Sequence, residues 1–63
     1  MGRYYLVKEV PIQGGRATSR LYWTGTEWTA ERELRWTTSS RTVAAHNREE
    51  LSTEEEPVRL VSS

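Results

Sequence analysis

No cysteine occurs in this 63-residue chain, so neither a disulfide nor a thiolate metal site can stabilise its fold. A chain of this length forms one domain at most, and it buries only about 60% of the surface that its unfolded form exposes. We therefore expect residues 1–63 to form a single small domain that depends on a few large apolar side chains. Small secreted domains usually carry disulfides, and neither a signal peptide nor a membrane-spanning apolar run is visible. The sequence thus favours a cytoplasmic protein without a membrane partner.

The aromatic side chains crowd around one glycine. In YWTGTEW (22–28), three of the six aromatic residues, Tyr22, Trp23 and Trp28, flank Gly25. Thr-Gly-Thr predicts a tight turn, which places the two tryptophans on facing strands, where each can bury about 150–250 Å². Neighbouring residues of a strand point to opposite sides of the sheet, so Tyr22 is expected on the other face.

Alternation of apolar and polar residues predicts two strands, over residues 4–12 and 17–24. The first is expected to end near Pro11, which lacks a backbone donor for the sheet. Gln13-Gly14-Gly15 between the two strands is typical of a hairpin turn, because glycine adopts positive φ without strain.

The stretch WTAERELRW (28–36) supports two interpretations. As a strand, it places Trp28, Leu34 and Trp36 on one face, and this alternation over nine residues favours a third strand. As a helix, it has Thr29 as N-cap and good helix-forming residues in TAERELR.

A helix is predicted over residues 41–51, after candidate N-caps in the Thr/Ser-rich stretch 37–40. Pro57 ends any helical continuation, and residues 58–61 form a final short strand. The sequence therefore predicts an α+β fold of order β-β-β-α-β, a small antiparallel sheet with one helix packed across one face. The inward stripe of the helix is expected to comprise Val43, Ala44, Asn47 and Leu51. The residues expected to be largely buried are Leu6, Leu21, Trp28, Trp36, Val43, Leu51 and Leu60.

A second set of large side chains is expected on the face that the helix leaves uncovered. Alternation places Tyr5, Arg20, Tyr22 and Arg35 there. Exposed tyrosine beside arginine is the composition favoured at the energetic centre of protein interfaces. We therefore predict that these four residues bind a partner.

Charge is distributed unevenly although the net charge is zero. Residues 1–48 carry eight basic and four acidic side chains, a balance of +4, whereas residues 49–63 carry five glutamates and one arginine, a balance of −4. The acidic run Glu54, Glu55 and Glu56 is a second candidate partner-binding segment, which could occupy a basic cleft. Runs of this kind are more often simply solvated.

The residue types for catalysis and for metal or cofactor binding are scarce. His46 is the one histidine, it lies mid-helix, and there is no aspartate. One histidine among glutamates gives no recognisable spacing of metal ligands, and no serine lies on a nucleophile elbow. The glycines read as turns rather than as a phosphate-binding loop. We therefore expect no catalytic, metal-binding or cofactor-binding residues.

Several of these features occur together in one group of proteins. A Tyr-x-Val strand at 5–7, the motif Tyr-x-x-Gly-x-x-Trp-Thr at 22–29, a Thr/Ser-rich cap, an Ala-containing helix and a Val-x-Leu-Val ending resemble small phage and prophage accessory proteins. The chain departs from that pattern where an Arg-rich strand precedes Trp36. The resemblance implies an accessory protein of a virus or mobile element, which acts by binding a host protein.

The sequence thus favours a non-enzymatic binding protein that inhibits or modulates a host protein. A homodimer through the uncovered face would explain the exposed tyrosines equally well. The alternative is a small nucleic-acid-binding protein, because arginine neutralises phosphates and bases stack on aromatic rings. Against that alternative, the net charge is zero and no known nucleic-acid-binding motif is present.

Overall fold

This computed structural model describes residues 2–12 and 14–63, which form four strands, a 3-10 helix and an α-helix. All neighbouring strands are antiparallel, in the order β3-β2-β1-β4. The fold is α+β, and the predicted order β-β-β-α-β is confirmed. The elements are β1 (Tyr4–Pro11), β2 (Thr18–Trp23), β3 (Trp28–Thr29), the 3-10 helix (Arg32–Leu34), α1 (Arg41–Leu51) and β4 (Val58–Ser62).

The first hairpin joins β1 to β2. Pro11 is the last residue of β1 and lies opposite Thr18, and beyond it the Ile12 N–H donates to the Ala17 carbonyl at 3.1 Å. Gly14 has φ 77°, a left-handed conformation that residues with a Cβ rarely adopt. Gln13, which belongs to the predicted turn, lies outside the described residues.

The second hairpin is the turn within YWTGTEW. Trp23 lies opposite Trp28, and their ring centroids are 5.3 Å apart at an interplanar angle of 52°. The Thr24 hydroxyl accepts from the Glu27 N–H at 3.1 Å, and Gly25 supplies φ 106°. The predicted pairing of the two tryptophans across a glycine turn is confirmed.

The predicted nine-residue strand over 28–36 is wrong, because β3 ends at Thr29. The chain then crosses back: the Trp36 N–H donates to the Trp23 carbonyl at the end of β2, at 2.7 Å, and Thr38 exchanges two hydrogen bonds with Tyr4 of β1. A strand continuing beside β2 could not reach β1. The helical alternative is realised as one 3-10 turn, and Leu34 in that turn is 57% exposed instead of inward.

The helix α1 has the predicted bounds. The Ser40 hydroxyl accepts from the Val43 N–H at 3.2 Å and thereby caps its first turn. Ala44 is fully buried, and Asn47 and Leu51 are half-buried at the expected spacing. Val43 is 45% exposed, so its predicted burial is wrong. It precedes Ala44 by about 100° around the helix axis, which turns it away from the sheet.

The sheet has two distinct sides. On the helix side, α1 packs against β1 and β4, and Leu6, Ala44 and Val58 are buried. The burial predicted for Leu6 is confirmed. Five side chains that were expected to be largely buried retain intermediate exposure: Leu21, Trp28, Trp36, Leu51 and Leu60. A 63-residue chain does not have enough layers to enclose them completely.

Candidate functional site

The side of the sheet opposite α1 is here called the helix-free face. Strand alternation and register show which side chains lie on it. Val7 of β1 lies opposite Tyr22 of β2 on one flank and opposite Arg59 of β4 on the other. The side chains on this face include Tyr5, Val7 and Glu9 from β1, Arg20 and Tyr22 from β2, and Arg59 and Val61 from β4.

Tyr5 and Tyr22 come together on the helix-free face. Tyr22 lies opposite Val7, so Tyr5 is its diagonal neighbour on the adjacent strand, within reach of an aromatic ring. Their ring centroids are 6.1 Å apart and tilted by 41°, a favourable aromatic geometry. Both side chains are half-buried, so each leaves part of its surface available to a partner.

Arg35 belongs to the same cluster, but the 3-10 helix positions it there and not the predicted third strand. It caps the C-terminus of the 3-10 helix in an extended conformation, and its guanidinium lies 5.0 Å from the centroid of the Tyr5 ring. Nη1 donates to the Arg32 carbonyl at 2.9 Å, whereas the buried Nε has no hydrogen-bond partner within residues 2–12 and 14–63. Among the described residues, the guanidinium therefore contacts the ring and one carbonyl but no carboxylate.

Arginines outnumber glutamates on the helix-free face. Glu9 accepts from Arg59 at 2.8 Å and from the Thr18 hydroxyl at 3.1 Å. Arg20 lies directly opposite Glu9 on β2, but within the described part of the chain it makes no ion pair. With Arg35 included, three arginines face one glutamate, and this face therefore carries an excess of two positive charges.

A cleft of about 410 Å³ opens between these side chains. Its apolar base includes Val7, which is 2% exposed although no helix covers it. The residues around the cleft are Tyr5, Val7, Arg20, Tyr22, Arg59, Leu60, Val61 and Ser62. A cleft lined by tyrosine and arginine side chains can accept part of a partner's side chain and hold an acidic group beside it.

The acidic run lies elsewhere. Glu56 forms an ion pair with Lys8 at 2.8 Å, and the Lys8 ammonium also lies 4.5 Å from the centroid of the Trp28 ring. Lys8 and Trp28 belong to the helix side by strand alternation. Glu54 and Glu55 are exposed in the turn that precedes β4. The structure thus brings four of the seven predicted partner-binding residues together and leaves Glu54, Glu55 and Glu56 apart from them.

His46 lies on the exposed side of α1, with its Nε2 3.1 Å from a Glu50 carboxylate oxygen. The described residues contain no group of three or more side chains that could hold a metal ion. None of the helices in that part of the chain has the length and apolarity to cross a bilayer.

Sequence reasoning missed Val7, Glu9, Arg59 and Val61 on the helix-free face. They could have been found by the same alternation that located Tyr5, continued along β1 to Val7 and Glu9 and applied to the last strand. To apply it to β4, one must know that β4 pairs with β1. Alternation within a single strand does not give that pairing.

No known protein family, curated protein or solved structure matches this chain.

Proposed function

We propose that this chain is a non-enzymatic binding protein that engages an acidic surface of a protein partner through its helix-free face. The observation that supports this most directly is the cluster of Tyr5, Tyr22 and Arg35 beside Arg20, which makes no ion pair with the residues that the structure describes. Tyrosine and arginine dominate the residues that carry binding energy at protein interfaces. The resemblance to phage and prophage accessory proteins supports a host protein as the partner, which the chain inhibits or modulates.

The cluster is preorganised for such a contact. The Tyr5 ring contacts both the Tyr22 ring, at 6.1 Å between centroids, and the Arg35 guanidinium, at 5.0 Å, so its rotamer is already restricted before a partner arrives. Binding through side chains that are already ordered loses less conformational entropy. The cleft over Val7 adds an apolar base, and the excess of arginine favours an acidic partner through charge complementarity.

Nucleic-acid binding is the second candidate, and the excess of arginine beside two tyrosine rings favours it. Two contacts weaken it. Arg35 already occupies one side of the Tyr5 ring, where a base would stack, and Arg59 is already paired with Glu9. A protein partner uses the edges of the same rings and the cleft between them, so it needs neither group to be released.

The double variant Tyr22→Ala with Arg20→Glu tests the proposal. Both side chains lie outside the helix side, so folding should be largely retained, while binding to the partner weakens by about 2 kcal/mol or more. The partner is first captured from nuclease-treated host lysate, identified and purified, and its affinity for each variant is then measured by calorimetry. The matched control is Thr42→Ala with Arg41→Glu, which makes the same change of charge on the exposed side of α1.

A folded double variant that binds the purified partner as tightly as the wild type contradicts the proposal. Titration with single-stranded DNA and RNA at about 50 mM salt separates the two candidates. Tight binding that weakens steeply with added salt would favour nucleic acid instead.

A further inference from the structure

Arg20 and Glu9 lie directly opposite each other on the helix-free face, yet the ion pairs of the described residues do not include this one. Opposite charges in that position usually pair, because their Cβ atoms are only about 4.5–5.5 Å apart. The Glu9 carboxylate has other partners: Oε1 accepts from the Thr18 hydroxyl at 3.1 Å, and Oε2 accepts from Nη2 of Arg59 at 2.8 Å. These two contacts hold the carboxylate, so it does not neutralise the arginine opposite.

The cleft of about 410 Å³ therefore presents cationic groups without an acidic one. The described residues that line it include Arg20 and Arg59 but no glutamate. Within residues 2–12 and 14–63, the exposed Arg20 guanidinium makes no ion pair and donates no hydrogen bond. A guanidinium whose donors are not used inside the chain can bind an anion of a partner through paired, charge-assisted hydrogen bonds.

The amount of charge indicates which anion fits best. The three arginines and one glutamate of the helix-free face leave an excess of two positive charges. A phosphate monoester carries about 1.5–2 negative charges at pH 7, whereas a carboxylate or a phosphodiester carries about one. Its three terminal oxygens can also accept from two guanidinium groups at once. A phosphate monoester therefore matches the charge of this face more completely than a carboxylate does.

The other side chains around the cleft favour an aromatic ring attached to the phosphate. The rings of Tyr5 and Tyr22 are 6.1 Å apart, and Val61 adds apolar surface from β4. Tyrosine rings pack well against a further ring in an offset or tilted arrangement. The volume of the cleft lies within the range of about 300–1,000 Å³ that is typical of ligand pockets.

We propose that this cleft binds a phosphorylated tyrosine side chain of the protein partner. The phosphate lies against Arg20 and Arg59, and the ring packs against Tyr5 and Tyr22. The inference rests on the proposed function, because it names the acidic group that the helix-free face receives. Arg20 supplies the main contact, while Arg59 uses part of its five donors for Glu9 and the others for the phosphate.

Thr18 is a positioning residue in this arrangement. Its hydroxyl holds Oε1 of Glu9, and without that bond the carboxylate could turn to the Arg20 guanidinium opposite it. An internal ion pair of that kind would compete with the phosphate for the same donors. The phosphate affinity of the cleft thus depends on a hydroxyl group that does not itself line the cleft.

Three small probes separate the phosphate from the ring. Phenyl phosphate has both, benzoate keeps a ring with a single charge, and methyl phosphate keeps the phosphate alone. Titrated into the ¹⁵N-labelled wild-type chain and followed by NMR, phenyl phosphate should shift the Arg20 and Tyr22 amide signals with a dissociation constant of about 1 mM. The other two probes should bind about tenfold more weakly.

Each contrary result overturns a stated part of the proposal. Benzoate binding as tightly as phenyl phosphate overturns the phosphate, and methyl phosphate binding as tightly overturns the aromatic ring. No shift with any probe up to about 20 mM overturns the site itself. Arg20→Gln should weaken phenyl phosphate binding about tenfold. The matched control Arg41→Gln removes the same charge from α1 and should leave binding unchanged.

A double-mutant cycle tests the positioning role of Thr18. Thr18→Val leaves the charge unchanged and should weaken phenyl phosphate binding about threefold, whereas Glu9→Gln removes the competing carboxylate and should strengthen it about threefold. In the Glu9→Gln background, Thr18→Val should have no further effect, because no charged carboxylate remains to be released. A threefold loss in that background as well overturns the positioning role.

Phosphatase treatment of the purified partner distinguishes this inference from the proposed function. Dephosphorylation should weaken binding of the wild-type chain at least tenfold. Unchanged binding after dephosphorylation overturns the phosphotyrosine site and leaves the proposed function intact. The proposed function fails only if the folded variant Tyr22→Ala with Arg20→Glu binds the untreated partner as tightly as the wild type does.

Discussion

Leu6 and Val7 are neighbours on the central strand, point to opposite sides of the sheet, and are both buried, yet by different means. Leu6 is completely enclosed beneath α1, whose Ala44 is equally buried. Val7 is 2% exposed on the helix-free face, where side chains of the sheet itself surround it. One side of the molecule has a second layer of backbone, and the other has a cover of tyrosine and arginine.

The difference shows how a chain this small can bury a residue without a second layer. Tyr22 and Arg59 flank Val7 directly on the two adjacent strands, and their long side chains shield it from water. Such a cover consists of side chains alone and adds no second layer of backbone. The helix side, by contrast, is fixed by packing beneath α1, and the proposed binding surface is the opposite side.

Truncation of the two buried neighbours should produce the largest difference in stability between the two sides of the sheet. Leu6→Ala leaves a cavity beneath α1 and should lower the free energy of unfolding by about 2–5 kcal/mol, enough to unfold a domain of this size. Val7→Ala should lower it by about 1–2 kcal/mol, because the surrounding side chains can close over the smaller residue. Urea denaturation followed by circular dichroism measures both, and an equal loss would show that the two covers are equally rigid.

Loss of the helix cap should lower the stability of the fold without weakening the proposed binding. Ser40→Ala leaves the Val43 N–H without its side-chain acceptor and should lower the free energy of unfolding by about 1 kcal/mol. Binding through the helix-free face should be unchanged in the folded fraction. Ser39→Ala, one residue earlier, is the control and should have little effect on the melting temperature. A cap variant that weakens binding by itself would argue against a division of roles between the two sides.

The smallest effect is expected in the acidic run. Glu56→Gln weakens the ion pair with the half-buried Lys8 and should lower the free energy of unfolding by about 0.5 kcal/mol. Glu55→Gln, at an exposed neighbouring position, should change it by less than about 0.2 kcal/mol. Chemical denaturation at low and at high salt measures both, and the effect of Glu56→Gln should shrink as salt is added. Indistinguishable variants would mean that Lys8 is held by Trp28 rather than by Glu56.

Local signals in the sequence were sufficient for most of the fold. The bounds of α1, the glycine turn at Gly25 and the separation of Tyr22 from Trp23 each follow from a few neighbouring residues. Capping, positive φ and strand alternation are properties of short segments. The predicted grouping of Tyr5, Tyr22 and Arg20 on one face succeeded for the same reason.

The parts of the fold that the sequence predicted wrongly depend on contacts between distant segments of the chain. The stretch 28–36 alternates like a strand, but residues 36 and 38 form hydrogen bonds with Trp23 at the end of β2 and with Tyr4 of β1. Arg35 reaches the helix-free face through that crossing, so its place was predicted for the wrong reason. Val43 satisfied the apolar spacing of the helix, whereas the direction in which α1 meets the sheet turned it outward.

The central position of β1 has a consequence for how the chain folds. Its pairing with β4 joins Lys8 to Val58 and Tyr4 to Ser62, residues separated by almost the whole length of the chain. Contacts between such distant segments form late, because the loss of chain entropy on closing a long loop precedes any gain from the contact. During synthesis the two hairpins and α1 can be complete while β1 still lacks its second neighbour. The sheet, and with it the buried Leu6 and Val58, is therefore assembled only after β4 has left the ribosome.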